Sequence, residues 1–429
     1  MSTPASANGD GERVTGPESD SDGTGDGDGS PSTVRQWGVL LAAWLLAVGG
    51  SAYLIAPASV LPPMMAGLAV GPTAVGWILS VSYAGEAVVG LPAGFVMDRF
   101  DNRHVTGLAA LALLVAGVWG FSAGSGGDYL GLLASRFLGG MGFAVLWIAS
   151  MDVAGRTFGD AKRGTAVGAY TTAGPAGLAV GLVTGPLVAG LWGWAAVFVA
   201  YGGVMVVALA LFWLLSRAVT VELAVATPPS GAEFGRVLCH RNLWRVAAMA
   251  FAAYSLLLFF TGWMPTYLAA TYDLSLAASG LSVALFPAVG VLSRAGGGLV
   301  SDRLLGRRRR PVALVTFVAA TPLVVAVALV RSPWAALLFL ALAGFFVQVG
   351  VGLFFTYGSE FVPANVGGAA LAFLNTTGIL GSFTAPIVTG ALIEWSGSYL
   401  PAFAYAAVLA AFGVGVALST PEPGPRGTR

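Results

Sequence analysis

Charge is what this sequence has least of. Only 10% of its 429 residues are Asp, Glu, Lys or Arg, against roughly 25% in soluble globular domains. With 56% hydrophobic residues, that deficit excludes an ordinary water-soluble domain. Cysteine is nearly absent too: Cys239 stands alone, so no intrachain disulfide and no cysteine metal cluster can form. The two histidines, His104 and His240, both fall in polar stretches, which excludes an intramembrane histidine relay or a histidine-based metal site. Nothing gathers acid, base or metal ligands at one depth. The expectation is therefore no catalytic residues, no metal, no cofactor and no enzyme, and no nucleic-acid partner.

What is present in excess is apolar length and glycine. Mean hydropathy is +0.81, and a spanning helix needs about 20 predominantly apolar residues. Runs of that length cover 36–57, 73–97, 105–123, 129–154, 162–188 and 195–216, then 244–268, 276–300, 311–331, 333–358, 365–393 and 399–418. The 61 glycines suit helices that associate in lipid, where small residues let backbones approach closely. The expected organisation is an acidic, disordered tail over 1–34, a six-helix half over 35–216, a linker over 217–243, a second half over 244–420 and a short tail over 421–429. The first tail, with Asp20, Asp22, Asp26 and Asp28, has too little apolar surface to offset ordering entropy and lacks the apolar core of a signal peptide.

Arginine and lysine cluster in alternate connections, from Arg35, Arg99 and Arg103 through Arg156, Lys162 and Arg163 to Arg303 and the run 307–310. Arg331 alone falls on the other side, and Arg136 and Arg294 lie within helices. The excess of basic residues on cytoplasmic loops then puts both termini in the cytoplasm.

The chain also repeats itself. Gly94-x-x-x-Asp98-Arg99 leaves the second run, and Gly298-x-x-x-Asp302-Arg303 leaves the eighth, 204 residues later. Gly181-x-x-x-Gly185-Pro186-x-x-x-Gly190 in the fifth run matches Gly381-x-x-x-Ala385-Pro386-x-x-x-Gly390 in the eleventh, at an offset of 200. Two matches in register with the topology indicate parallel six-helix halves related by an axis along the membrane normal. The fifth-run motif resembles the antiporter motif of drug exporters, but its near-copy in the eleventh run reads as a close-packing and kink element built on Gly181, Gly185, Pro186 and Pro386.

Gly94, Asp98, Arg99 and Arg103 resemble the loop signature of the major facilitator superfamily, and Gly298, Asp302, Arg303 and Arg307 resemble its second-half counterpart. Arg136-x-x-x-Gly140-x-Gly142 is similar to the fourth-helix motif of that family. Asp101-Asn102 departs from it, where the family usually has Gly-Arg. The resemblance runs from about residue 36 to 418. It implies an all-α membrane fold of twelve helices in two pseudo-symmetric six-helix bundles. It also implies secondary active transport of a small solute by alternating access, coupled to an ion, by a chain acting as a monomer in the bilayer of the cell membrane. The loop residues would act as gating latches.

Ionisable side chains at bilayer depth cost at least about 2.5–3.5 kcal/mol on insertion scales, so the sequence has to have a use for them. Arg294 shares a helix face with Gly290 and Gly298, and its planar, permanently charged fork suits carboxylate, phosphate or nitrate. An arginine ahead of the eighth-helix motif resembles several anion-carrying branches of the superfamily, including nitrate/nitrite porters and monocarboxylate or oxalate carriers. The repeat-equivalent position is Gly90, where the nitrate branch would place a second arginine; its absence argues against nitrate and for a single-arginine anion site. The alternative is a structural pair between Arg294 and a first-half acid. Glu86 and Arg136 are the candidates for ion coupling, or for pairing with each other. Trp263-Met-Pro265-Thr-Tyr267 resembles a segment of anion:cation symporters. With Tyr53, Gln348, Tyr357 and Asn375, Trp263 and Tyr267 complete the expected solute-lining set. Asp152 and Glu360 read as packing acids at the cytoplasmic end. The expected function is proton-coupled symport of a small anion, and the alternative is a proton-coupled efflux antiporter.

Overall fold

The computed structural model describes residues 33–97, 99–158, 160–217, 235, 237–303, 305, 306, 308–363 and 366–423. The Asp98 and Arg307 expectations, the first tail up to residue 32 and residues 218–234 of the linker lie outside them.

Twelve spanning elements follow in chain order. They are α1 (Thr33–Ile55), α2 (Pro72–Met97), α3 (Asn102–Ser125), α4 (Tyr129–Arg156), α5 in two pieces (Asp160–Thr171 and Ala173–Trp192) and α6 (Gly202–Ser216). The second set is α7 (Arg241–Tyr272), α8 (Leu276–Arg303), α9 (Arg310–Leu329), α10 (Pro333–Ser359), α11 (Gly367–Ser396) and α12 (Leu400–Ser419). Among the described residues, eleven stretches are long and apolar enough to cross a membrane. The remaining element, α2, is 26 residues long and carries one acid, Glu86.

Local chemistry sets the ends. Asp101 caps α3 by accepting from Arg103 N at 2.9 Å, and Asp128 caps α4 by accepting from Gly131 N at 2.9 Å, each satisfying a donor the first turn leaves orphaned. His240 does the same for Leu243 N, which starts α7 at Arg241, three residues before the apolar run begins. Pro57 tightens the chain after α1 into a 3-10 turn, Ala56–Val60, that leads into a short helix, Leu61–Leu68. Gly193 (φ 85°) and Gly397 (φ 64°) end α5 and α11 in left-handed backbone, which glycine adopts without penalty.

The outward faces are apolar. Leu191 and Leu292 are 72% and 77% exposed, which is tolerable only where the solvent is lipid. Inside, helix crossings are set by glycine. A methyl added at Gly344 of α10 would lie 2.5 Å from the Phe286 carbonyl of α8, and one added at Gly140 of α4 would overlap the Ser82 carbonyl of α2. Gly140 and Ser82 stand 204 residues before Gly344 and Phe286, so the two crossings are the same contact repeated. Likewise Gly177, Gly181 and Gly185 of α5 sit on the Val48, Ala52 and Ala56 carbonyls, while Gly381 of α11 sits on Phe251 O of α7.

The halves are joined near the end opposite the termini. Gly76 of α2 packs on the Pro386 carbonyl of α11, Gly390 packs on the Pro72 carbonyl, and Gly280 of α8 packs on Leu182 of α5. Trp77 meets Phe383 edge-on at 5.9 Å. At the outermost point Glu394 of α11 accepts from Thr73 N, the first turn of α2, at 2.8 Å.

Candidate solute site between the two halves

Arg294 sits in the middle of α8, half-buried. Gly352 of α10 backs onto it: a methyl there would lie 2.8 Å from the Arg294 carbonyl. One turn earlier, the missing side chain of Gly290 leaves the space that the Gln348 carboxamide fills. The Arg294 Nε donates to Gln348 Oε1 at 2.8 Å. Gln348 Nε2 in turn donates to the Pro287 carbonyl at 3.3 Å and more distantly to Phe286 O at 3.5 Å. The other end of the guanidinium reaches toward the first half, with Nη1 3.5 Å from the position a methyl on Gly174 of α5 would take. Trp147 of α4 lies against the same glycine and is held edge-on to Tyr170 at 5.1 Å. Tyr170 donates to the Trp147 carbonyl and is shared with Ser150. Among the described residues no carboxylate pairs with Arg294, so the pairing with a first-half acid does not form.

Glu86, on α2, is 8% exposed and its Oε1 has no hydrogen-bond partner among the described residues. Arg136 is near enough to interact electrostatically, yet each of its nitrogens donates elsewhere. Nε, Nη1 and Nη2 go to the carbonyls of Ile78, Tyr53 and Leu54 at 3.3, 3.0 and 2.7 Å, and the guanidinium stacks over the Tyr53 ring at 4.8 Å. Arg136 therefore ties α4 to α1 and α2, and its hydrogen bonds go to carbonyls rather than to Glu86. Tyr254 of α7, packed on Gly378 of α11, lies close enough to interact with both Arg294 and Glu86.

Comparison with known proteins bears on what such a site belongs to. The Major Facilitator Superfamily family model matches residues 39–386. This chain belongs to the major facilitator superfamily. It is 26% identical over 369 residues to the probable galactarate/D-glucarate transporter GudP of Bacillus subtilis, covering 76% of this chain and 78% of the relative. To the hexuronate transporter of the same bacterium it is 26% identical, covering 80% and 85%. To the probable nitrate/nitrite transporter NarK2 of Mycobacterium tuberculosis it is 26% identical, covering 70% and 75%. Among solved structures, a bacterial homolog to the human lysosomal transporter Spinster, inward-facing and unoccupied, matches with a TM-score of 0.74 at 18% identity, covering 91% of this chain and 95% of that one. The protein is a multi-pass membrane transporter and not an enzyme.

Within this superfamily fold, the expected lining set disperses. Trp263 donates to the Pro386 carbonyl at 3.1 Å and is buried under Gly390. Tyr267 donates to Val327 O and sits among Tyr399 and Phe403. Tyr357 donates to Pro421 O at 3.0 Å, and Tyr53 is buried beneath Arg136 against Gly139. These four hold helices together, because each aromatic body packs in a crossing and its polar end, where bonded, meets a carbonyl rather than the gap between halves. Gln348 lies at Arg294, and Asn375 lies one turn before Gly378 on the partly exposed side of α11.

At the terminal end, Arg309 gathers the acids around the second-half loop. It is 2% exposed. Its Nη1 meets Asp302 at 2.7 Å, its Nε and Nη2 fork onto Glu360 at 3.1 and 2.9 Å, and its backbone N–H donates to Glu422. The hydrogen bonds it donates to Glu360, more than the charges of its neighbours, raise its pKa above the ordinary arginine value. Arg303 and Arg99 are exposed. In the first half, Asn102 donates to Asp152 at 2.6 Å, Arg156 pairs with Asp152 at 2.7 Å, and Arg103 holds Asp101 and the Ser216 carbonyl. Asn102, the departure from the family pattern, thus supplies a neutral contact where the second half uses Arg309.

Tyr254, Trp147 and Arg309 escaped the sequence reading. Four consecutive arginines give no sign of which one turns inward, and an aromatic on an apolar helix carries no mark of the face it occupies.

Proposed function

We propose that the protein is a proton-coupled symporter of a small anion, working by alternating access, with Arg294 as the solute contact and Glu86 as the proton site. The observation that carries this reading is the state of Arg294: a permanent charge, placed where the halves meet, whose hydrogen-bonded partner is the neutral Gln348. A cation at bilayer depth normally has a paired partner. A solute that brings the missing negative charge would supply it. The relatives named above, carriers of sugar acids and of nitrate or nitrite, favour the same class.

Glu86 supports proton coupling for the complementary reason: a carboxyl so buried and unbonded is costly as an anion, and protonation relieves that cost. The clustering of arginine at the terminal end supports cytoplasmic termini, so the joined far end faces outward and the halves part toward the cytoplasm. The protein would act as a monomer, each copy holding a complete site. Efflux gains some support from one relative, the nitrite extrusion protein of Bacillus subtilis, 26% identical over 322 residues. The fifth-helix glycine run, packed on α1 as its repeat is packed on α7, lends efflux none.

The test is uptake of sugar acids, nitrate and nitrite into proteoliposomes under an imposed proton gradient. Accumulation driven by the gradient is expected for the wild type. Accumulation driven by sodium alone, or equal transport of an uncharged sugar, overturns the reading.

A further inference from the structure

The number of charges at the site restricts the solute further, on the assumption that the anion reading above holds. Away from the ends of the apolar stretches, two basic side chains lie at depth, Arg136 and Arg294. Arg136 is fully buried and committed to three carbonyls, so a solute between the halves meets one cation. The acid on the opposite side, Glu86, has no bonded partner among the described residues. A second negative group on the solute would therefore find no counter-charge and would face a carboxyl.

The orientation of that one cation is also fixed. A carboxamide can present its oxygen or its nitrogen. Here the nitrogen is turned toward the Pro287 carbonyl, so the oxygen faces Arg294. It takes the Nε proton and leaves the two terminal nitrogens, the edge that matches a two-oxygen anion in parallel hydrogen bonds, with Nη1 beside Gly174 of the first half. Gly290 is required for this because any side chain there would displace the carboxamide. We propose that the site takes a solute carrying one planar, two-oxygen anionic group, a carboxylate or a nitrate, and that Gln348 is the positioning residue that aims the Arg294 fork at it.

The experiment measures thermal stabilisation of the purified full-length chain at neutral pH by matched probes: glycolate against oxalate, D-gluconate against D-glucarate, and nitrate. The expected result is stabilisation by at least one monoanion, with any dianion partner weaker by about tenfold or more, the scale of one uncompensated charge. A response to nitrate alone assigns the inorganic source. A dianion that binds as well as its partner, or no monoanion response, overturns the proposal.

Two variants separate the layers of the argument. Wild-type monoanion affinity in Arg294→Ala would sink the anion reading itself. Loss of binding in that variant, together with a dianion preference in the wild type, would sink only the single-charge proposal. Gln348→Glu keeps the shape but places a carboxylate on the fork. Gluconate affinity should then fall by about tenfold or more, while affinity for the uncharged D-gluconamide stays level or rises. An equal fall for both would show that Gln348 merely holds the helices.

Discussion

Glu86 and Arg294 stand on helices that the repeat makes equivalent, one turn out of register: the repeat partner of Glu86 is Gly290 and that of Arg294 is Gly90. Each charge thus faces a glycine in the other half's pattern, which keeps an acid and a base in one site without fusing them into a pair. The consequences are separable. Arg294→Ala should weaken solute binding by about 30-fold or more, since truncating one member of a buried charge pair costs roughly 2–5 kcal/mol. Arg294→Lys should fall between that and wild type, because the charge survives but the fork does not; equilibrium binding on folded protein measures both. Glu86→Gln should abolish gradient-driven accumulation and spare solute counterflow, because exchange needs no net proton movement. Unchanged accumulation in that variant would make Glu86 a packing residue.

Elements cross where glycine allows it. The α4–α2 and α10–α8 crossings use the same pair of positions 204 residues apart, and each puts a carbonyl where a side chain would stand. Gly344→Leu should therefore cost about 1–3 kcal/mol, the range for overpacking, read as a fall in melting temperature. It should also disturb solute binding, because the same crossing carries Gln348 one turn further on. The loop between α8 and α9 has its acids gathered around Arg309. Arg309→Ala should lower stability by about 2–3 kcal/mol, near the lower end for breaking a buried pair, whereas Arg303→Ala, at an exposed position, should be nearly silent. Equal losses in the two variants would place the stabilising contact elsewhere in the loop.

For the whole molecule, the closed end rests on backbone contacts of α2 with α11 and of α5 with α8, on the Trp77–Phe383 contact, and on one side-chain cap, Glu394, which holds α2 from the other half. A cap across the interface breaks whenever the halves rock apart there, so it biases the alternating-access equilibrium and leaves each half's own fold alone. Glu394→Ala should raise the population open at the far end. Spin labels placed on the outer ends of α2 and α11 should then show a longer distance component that the wild type lacks. An unaltered distance distribution would mean that the remaining contacts hold the end closed by themselves.

Composition and periodicity determined the twelve-helix architecture and the two-fold repeat. In lipid every spanning backbone must satisfy its own hydrogen bonds, which leaves an apolar chain few alternatives. The charges at depth were legible for the same reason, since an arginine or glutamate there stands out against leucine and glycine. Which face each side chain took was not legible. Helices apolar all round have no amphipathic stripe to orient them, so Trp263, Tyr267 and Tyr357 read the same whether they line a path or fill a crossing. Only the tertiary structure turned those three into packing, committed Arg136 to carbonyls, brought Tyr254 near both Glu86 and Arg294, and turned Arg309 inward onto Glu360. Each of those outcomes depends on a neighbouring helix about 200 residues away or nearer, in a place that no local pattern specifies.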